Sequence, residues 1–428
     1  MMKNFLMGLG GVKLQYEKPE GVFPEPETIV PPQNATLLMA PGGGVLEKRA
    51  LAPGDSVEAG RRLLLYTDDE RCAVSPISGT VASISTVSDD QGRDWTQVSI
   101  TGSSDPDPGV ELDDLAGEPS LEGARRCLAH VPGAPCLDCF SSDSESLEPR
   151  NMEVIVINGV SSDLMLLTAP FLLFSAADAI GKGVEVLKKI TGVGRVILAV
   201  PSDFSGSLDV TGAEIQKVSP LYPQGNPALI MKNVLGMEVP AGGSPADLGV
   251  AFFSLEAAIS LGQAFETGRP PQEKLLTLVD KKGAGRLVYA RIGTPVGHVI
   301  QSCGVEIDED DLIIMGGPMT GSAVYSENFP VRPDTDGLMI LKKDDVHYYS
   351  DYPCVNCGEC VRVCPTGVPV NMLVRFLEAG RYEEAAESWD LMSCVDCGLC
   401  AFVCVARMPV FQYIRLAKHE ISKTNAAA

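Results

Sequence analysis

Two runs of four cysteines constrain this chain more than any other feature of its sequence. Cys354, Cys357, Cys360 and Cys364 follow the spacing C-x2-C-x2-C-x3-C and are closed by Pro365, and Cys394, Cys397, Cys400 and Cys404 repeat it. Three cysteines at this spacing place thiolates on three corners of an iron–sulfur cubane. The fourth iron then takes a ligand from further along the chain, and in two-cluster segments the fourth Cys of each run crosses to the other cluster. The spacing therefore assigns Cys354, Cys357, Cys360 and Cys404 to one 4Fe-4S centre and Cys364, Cys394, Cys397 and Cys400 to a second. Crossed ligation makes the centres neighbours, as a relay for single electrons requires. Structural zinc normally uses two C-x2-C knuckles far apart rather than four cysteines in one eleven-residue run.

Eight of the thirteen cysteines fall in this segment. In a chain read as cytoplasmic such density points to metal rather than to disulfides. With 428 residues, 45% of them hydrophobic, the chain has material for two to four domains with their own cores. A net charge of −22 argues against nucleic acid or anionic lipid as a broad partner. The most apolar stretch, Leu164 to Ala177, is short and interrupted by Pro170, so no transmembrane segment is expected. Met1 to Val12 has no small-residue cleavage site, and no secretory signal is expected.

The order of parts predicts a multidomain α/β and α+β protein. Residues 1–34 read as a proline-rich extended arm. Residues 35–104 carry short β-type runs, including GGGVLEK, RLLLY, VSPISGTV and WTQVSI, and predict a small β-sandwich. Residues 105–150, rich in Ser, Asp, Pro and Gly, read as a linker. Alternating strand-like and helix-like segments over 151–272 predict a mainly parallel sheet flanked by helices. Residues 273–345 read as a small α+β module, and 346–428 as a helical two-cluster ferredoxin domain.

With the cysteine motifs, the opening FLMGLGGVKLQYEK, VSPISGTV, INGV at 157–160, YPQGNPALI at 222–230, GMEVPAGGSPADLGV at 236–250, RIGTPV at 291–296 and GGPMTG at 316–321 resemble the C subunit of the Rnf-type ion-translocating electron-transport complex. That family is related to the flavin subunit of respiratory complex I. A cobalamin-reductase-like protein of bacterial microcompartments has a similar plan. The resemblance implies a lipoyl- or biotinyl-like barrel-sandwich module at the N-terminal end, a flavodehydrogenase-like central domain and an SLBB-like module before the ferredoxin domain. It also implies a peripheral protein on the cytoplasmic face of the cell membrane. Its partners would be membrane subunits of the complex and a ferredoxin or other soluble carrier.

The family's site for FMN and NADH is where this sequence departs. Typical members carry a glycine-rich loop before the INGA strand, because backbone amides must approach phosphate without intervening Cβ atoms. Here that loop reads HVPGAPCLDC, with one glycine, Gly133, flanked by Pro132 and Pro135, which lack amide donors. An acidic stretch after the strand is replaced by Val160, Ser161, Ser162 and Asp163, and FFSLEAA at 252–258 replaces a segment that carries an asparagine. Flavin and nicotinamide binding is therefore expected to be lost. The alternatives are an NADH-oxidising flavoprotein that keeps FMN through Tyr222, Gly225, Gly316 and Gly317, and a structural adaptor. Cys127, Cys136 and Cys139, with His130 between them, are a candidate third metal site, set against ordinary thiols in a variable loop. Cys72 and Cys303 read as core thiols, and His298 and His347 as structural. No lysine lies between Lys48 and Lys182, which favours a β module that docks neighbouring subunits over a carrier of a lipoyl or biotinyl group.

Overall fold

The structure, a computed structural model, describes residues 12–17, 23–39, 50–65, 73–88, 94–103, 112–140, 151–346, 348–350 and 352–427. The GGGVLEK run, Cys72, His347 and residues 105–111 and 141–150 of the expected linker lie outside them, whereas residues 112–140 are no linker but pack into the core of the parallel-sheet domain through Leu115, Ala124 and Leu128. The first short strand, β1 (Glu27–Thr28), joins a sheet formed later in the chain. Next comes an antiparallel sheet of β2 (Asn34–Met39), β3 (Ser56–Val57), β6 (Ser78–Ser88) and β7 (Asp94–Ser103) in the order β2-β7-β6-β3; β4 (Arg62–Leu63) and β5 (Ala73–Val74) pair separately. Alternation along NATLLM sends Ala35, Leu37 and Met39 inward, where they meet Ile77, Val98 and Ile100.

Helix α1 (Leu121–Cys127) is capped by Ser120, whose side chain accepts from the Gly123 amide. After it comes a sheet whose strands are all parallel: β8 (Val154–Asn158), β9 (Arg195–Pro201), β10 (Glu214–Val218) and β11 (Val250–Ser254), in the order β10-β9-β8-β11. The strand runs VIVIN and RVILAVP are apolar nearly throughout because helices cover the sheet. The helical pattern expected over 165–190 resolves into α2 (Thr168–Ser175) and α3 (Ala177–Thr191), broken at Ala176. After α4 (Pro227–Ile230), which runs on into a π-turn, α5 (Leu255–Thr267) packs against α3. The order of strands reverses direction between β8 and β11, the position at which open α/β sheets form a ligand crevice beyond their carboxyl ends.

The third sheet is six-stranded and mixed. It contains β12 (Glu273–Val279), β13 (Gly285–Arg291), β14 (Leu312–Met315), β15 (Ser322–Ala323) and β16 (Gly337–Leu341), in the order β1-β13-β12-β16-β14-β15, with α6 (Val296–Ser302) packed on it. The C-terminal part is helical: α7 (Glu359–Val363), α8 (Val370–Glu378), α9 (Tyr382–Ser388), α10 (Leu399–Phe402) and α11 (Val410–Ala427) surround a core of Leu373, Val374, Leu391 and Ile414. Among the described residues no helix is long and apolar enough to cross a membrane.

Candidate metal centre and switch-point cleft

The two cysteine runs form a structural repeat at a constant offset of forty residues, from Cys354 and Cys394 to Val370 and Val410. Each run begins with an extended loop in which a left-handed residue, Asn356 (φ 54°) or Asp396 (φ 51°), turns the chain between its first two cysteines. A left-handed glycine, Gly358 (φ 78°) or Gly398 (φ 73°), then precedes a short helix, α7 or α10.

Burial and mutual repulsion raise thiols of both runs. Cys360 is pushed up to about 11 by burial and then by repulsion from Cys354 and Cys357. Cys400 is pushed up by burial and then by Cys394 and Cys397, with Cys360 also within range. Cys397 is pushed up to about 11 mainly by burial, with backbone hydrogen bonding opposing it and Cys364 adding repulsion. Helices α7 and α10 pack on each other, and Val363, next to Cys364, packs on the apolar cluster that contains Cys397, so the two runs adjoin. Eight cysteines in two adjoining runs make a thiolate-rich donor set of the kind that holds 4Fe-4S centres, while in this structure the sulfurs of neither run are drawn onto one common ion position.

The second run is fixed to the parallel-sheet domain. The Tyr222 hydroxyl donates to the Cys397 carbonyl at 2.7 Å, Asn226 Nδ2 donates to the Val395 carbonyl at 3.1 Å, and the Gly242 amide donates to the Met392 carbonyl at 3.2 Å. Gly398 lies so close to the loop at 316–321 that a Cβ there would stand 2.4 Å from the Met319 carbonyl oxygen. That loop is anchored in turn by buried Asp163, which accepts from the amides of Met319 and Thr320 and from the Thr320 hydroxyl. The first run has no such cover. Cys357 is exposed, and so are Tyr352, Val355 and, from the second run, Phe402 and Val405.

At the switch point a cleft opens among Asn158, Thr168, Phe252, Ser254, Glu256 and Asp336. A flavin phosphate in such a crevice needs free amides or a free cation. Here the Ala257 amide at the start of α5 donates to Ser254 Oγ at 3.0 Å. The altered loop offers α5 its carbonyls: Pro132 O accepts from Ser260 Oγ at 2.9 Å and Gly133 O from Ser254 Oγ at 3.4 Å, while the Gly133 amide is spent on the Pro333 carbonyl. Gly133 (φ 85°) packs so tightly that a Cβ would fall 2.2 Å from the Ala257 nitrogen. The cation nearby, Lys274, is wholly buried and bonded to Glu256, to Asp336 at 3.2 Å and to the Leu275 carbonyl at 2.8 Å. Two carboxylates, Glu256 and Asp336, therefore line the cleft where an anionic group would have to bind, its nearby cation and the Ala257 amide are already engaged, and the described residues do not fit FMN.

None of the four glycine-loop and tyrosine positions considered for flavin lines this cleft. Tyr222 serves the second cysteine run. Gly225 donates its amide to Tyr16 Oη at 3.1 Å and accepts from Asn158 at 2.9 Å, Gly316 donates to the Gly337 carbonyl, and Gly317 packs on Asp163. Nor are the three upstream cysteines gathered. Cys127 is buried under Arg62 (2.9 Å) and Asp114 (3.7 Å), while Cys136 is exposed and hydrogen-bonded by the Cys139 thiol, which also donates to the Cys136 carbonyl at 3.4 Å. Among the described residues no three His, Cys, Asp or Glu side chains converge on one ion. Cys303 is buried, and His298 bonds the Val30 carbonyl through Nε2 at 2.8 Å. The sequence reading missed Lys274, Glu256 and Asp336, whose partners lie far apart in the chain, and Lys418, which the offset of forty would have exposed as the counterpart of Glu378.

Residues 141–262 match the Nuo51 FMN-binding domain and residues 347–405 the 4Fe-4S dicluster domain. The chain carries two 4Fe-4S clusters in the latter. It is 31% identical over 281 residues to a protein of Clostridium ljungdahlii named as the C subunit of a proton-translocating ferredoxin:NAD(+) oxidoreductase complex, with 63% of this chain and 61% of the relative covered. It is 30% identical over 281 residues to the Na(+)-translocating counterpart of Acetobacterium woodii, covering 64% and 63%. The C subunit of an ion-translocating oxidoreductase complex from Methanosarcina acetivorans is 24% identical over 84% of this chain and 86% of its own. The chain spans a little over 60% of the length of the first two relatives. Its resemblance to the Rnf-type C subunit is thus carried by relatives from bacteria and archaea.

Proposed function

We propose that this chain is the C subunit of an Rnf-type complex, relaying single electrons while its dehydrogenase cleft no longer holds FMN or nicotinamide. The clusters supply one-electron chemistry, because thiolate-bound iron changes charge with little change of geometry. Cys354, Cys357, Cys360 and Cys404 hold one, and Cys364, Cys394, Cys397 and Cys400 the other. What supports this crossed assignment is the packing of Val363, the neighbour of Cys364, on the apolar cluster that contains Cys397. Tyr222, Asn226 and Gly398 fix the second-run cluster against the sheet domain. The first-run cluster, under exposed Cys357, Tyr352 and Val355, faces a protein donor or acceptor such as a ferredoxin or a sister subunit.

The N-terminal antiparallel sheet is read as a lipoyl-like sandwich that docks neighbouring subunits, and the six-stranded sheet as an SLBB-like module, with boundaries at 34, 104, 150, 272 and 345. The protein sits on the cytoplasmic face of the cell membrane, held by membrane subunits. The match to an FMN-binding domain favours a second reading, an NADH-oxidising flavoprotein.

One assay separates the two: iron, acid-labile sulfide, zinc and extractable flavin per chain on anaerobically purified protein, then NADH addition while following absorbance. About eight iron, no flavin and no response to NADH support the relay. One flavin per chain that bleaches with NADH overturns it.

A further inference from the structure

The repeat is symmetric in its turns but not in its charges. In the first run Asn356 Oδ1 accepts from Asn371 Nδ2 at 3.0 Å, a neutral pair. In the second run the position of Asn356 is taken by Asp396, and Lys418 of α11 replaces exposed Glu378 of α8. Lys418 Nζ donates to the Cys394 carbonyl at 2.6 Å and to Asp396 Oδ2 at 2.6 Å, and its side chain is 20% exposed. Asp396 turns its amide onto Cys394 Sγ at 3.4 Å, and that thiol lies 3.8 Å from its carboxylate. Arg362 is the cation beside the first run, donating to the Cys357 carbonyl at 3.4 Å. It is half exposed and already closed by Glu359.

The two runs also differ in burial: Cys397 and Cys400 are buried and Cys357 is exposed. Adding an electron to a cluster adds negative charge, and burial raises the free energy of that charge. Burial alone would leave the second-run cluster the harder of the two to reduce. A cation bonded to the backbone of one of its ligands acts in the opposite direction, and a carboxylate beside that ligand would depress the potential further if left without its lysine.

Resting on the proposed two-cluster reading, we propose that Lys418 is a potential-setting residue: its ammonium, held over the Cys394 loop by Asp396, offsets the effect of burial and keeps the second-run cluster reducible. Lys418 touches a ligand's carbonyl and takes no part in electron transfer itself.

The test is an EPR-monitored redox titration of the full chain with both clusters in place, on wild type, Lys418→Met, Lys418→Arg, Asp396→Asn and Glu378→Lys, each with iron and sulfide counted first. In Lys418→Met the midpoint of one cluster falls, by at least about tenfold in its reduction equilibrium, about 59 mV for one electron. The other midpoint stays in place. Lys418→Arg stays near wild type, Asp396→Asn moves the same midpoint upward, and Glu378→Lys, at an exposed site, moves neither. Unchanged midpoints in an iron-replete Lys418→Met protein, or equal shifts of both clusters, overturn the inference. If Lys418→Met fails to load iron, Lys418→Gln, which keeps a donor for the Cys394 carbonyl but no charge, decides: the same midpoint must fall, and no change or a rise overturns the proposal. A wild-type chain that holds no cluster refutes the relay reading instead.

Discussion

Replacing Lys274 by Met tests whether the carboxylates of the switch-point cleft are held by an internal cation. The ammonium of Lys274 has no solvent exposure and bonds to Glu256, Asp336 and the Leu275 carbonyl. Methionine fills nearly the same volume, so the change removes charge rather than packing. Glu256, 12% exposed, would be left with the Leu275 amide at 2.9 Å as its remaining partner. Breaking a buried ion pair from one side costs about 3–5 kcal/mol. At about 1.4 kcal/mol per decade, amide exchange in β12 and α5 should accelerate by about two to three and a half orders of magnitude at pH 7. Hydrogen-exchange mass spectrometry of those segments reads this directly. Burial holds the Glu256 carboxyl above its ordinary range even with Lys274 present, and without the lysine it rises further. A folded-state carboxyl pKa above the unfolded value means stability is lost as pH rises between the two, so the variant's deficit should shrink towards pH 5. The double variant Lys274→Met with Glu256→Gln should recover most of the loss. An acceleration below tenfold at pH 7, or a deficit that grows on acidification, would refute the reasoning.

Gly398→Ala should lower iron content and free the cluster end to protease, because its Cβ would strike the Met319 carbonyl at 2.4 Å; Gly358→Ala, left-handed but with nothing within 4 Å, should lose only the ~1–2 kcal/mol of backbone strain. Tyr222→Phe removes the bond to the Cys397 carbonyl and should destabilise the second-run loop by about 1 kcal/mol, seen as roughly fivefold faster exchange in peptides spanning 394–404. Cys136, lowered to about 6 by the hydrogen bond from the Cys139 thiol, should be alkylated by iodoacetamide with a midpoint near pH 6, while Cys139, held protonated, reacts later; equal rates at pH 7 would contradict that geometry.

The cluster region was legible because its chemistry is written in local spacing: ligands at every third position, a turn residue between them, a proline after the first run. The parallel sheet was legible for a similar reason, since VIVIN and RVILAVP are apolar on both faces and separated by helix-length segments. The helical stretch over 165–190 concealed a break at Ala176, because the apolar run TAPFLLFS carries no signal for where one helix ends and the next begins. What the sequence concealed depends on distant partners. Lys274 begins a strand and reads as a solvated edge residue, and only the approach of Glu256 and Asp336 makes it buried. The loss of glycines upstream of β8 was visible, but not that the replacement loop turns its carbonyls onto α5. The upstream cysteines suggested a shared ion by spacing alone, and the fold turns Cys127 toward Arg62 instead.

The contacts of Tyr222, Asn226, Gly242 and Met319 with the second cysteine run also bear on biosynthesis. All four belong to segments translated before Cys354 leaves the ribosome, and domains fold largely in the order in which they are made. The seat for the second-run loop is therefore complete while its cysteines are still being synthesised. The nascent cysteine segment meets a finished template, with Gly398 marking the spot where its backbone must lie flush. Metal delivery then works on a chain end already held in shape on one side, and the uncovered first run is the side from which iron and sulfide can still enter.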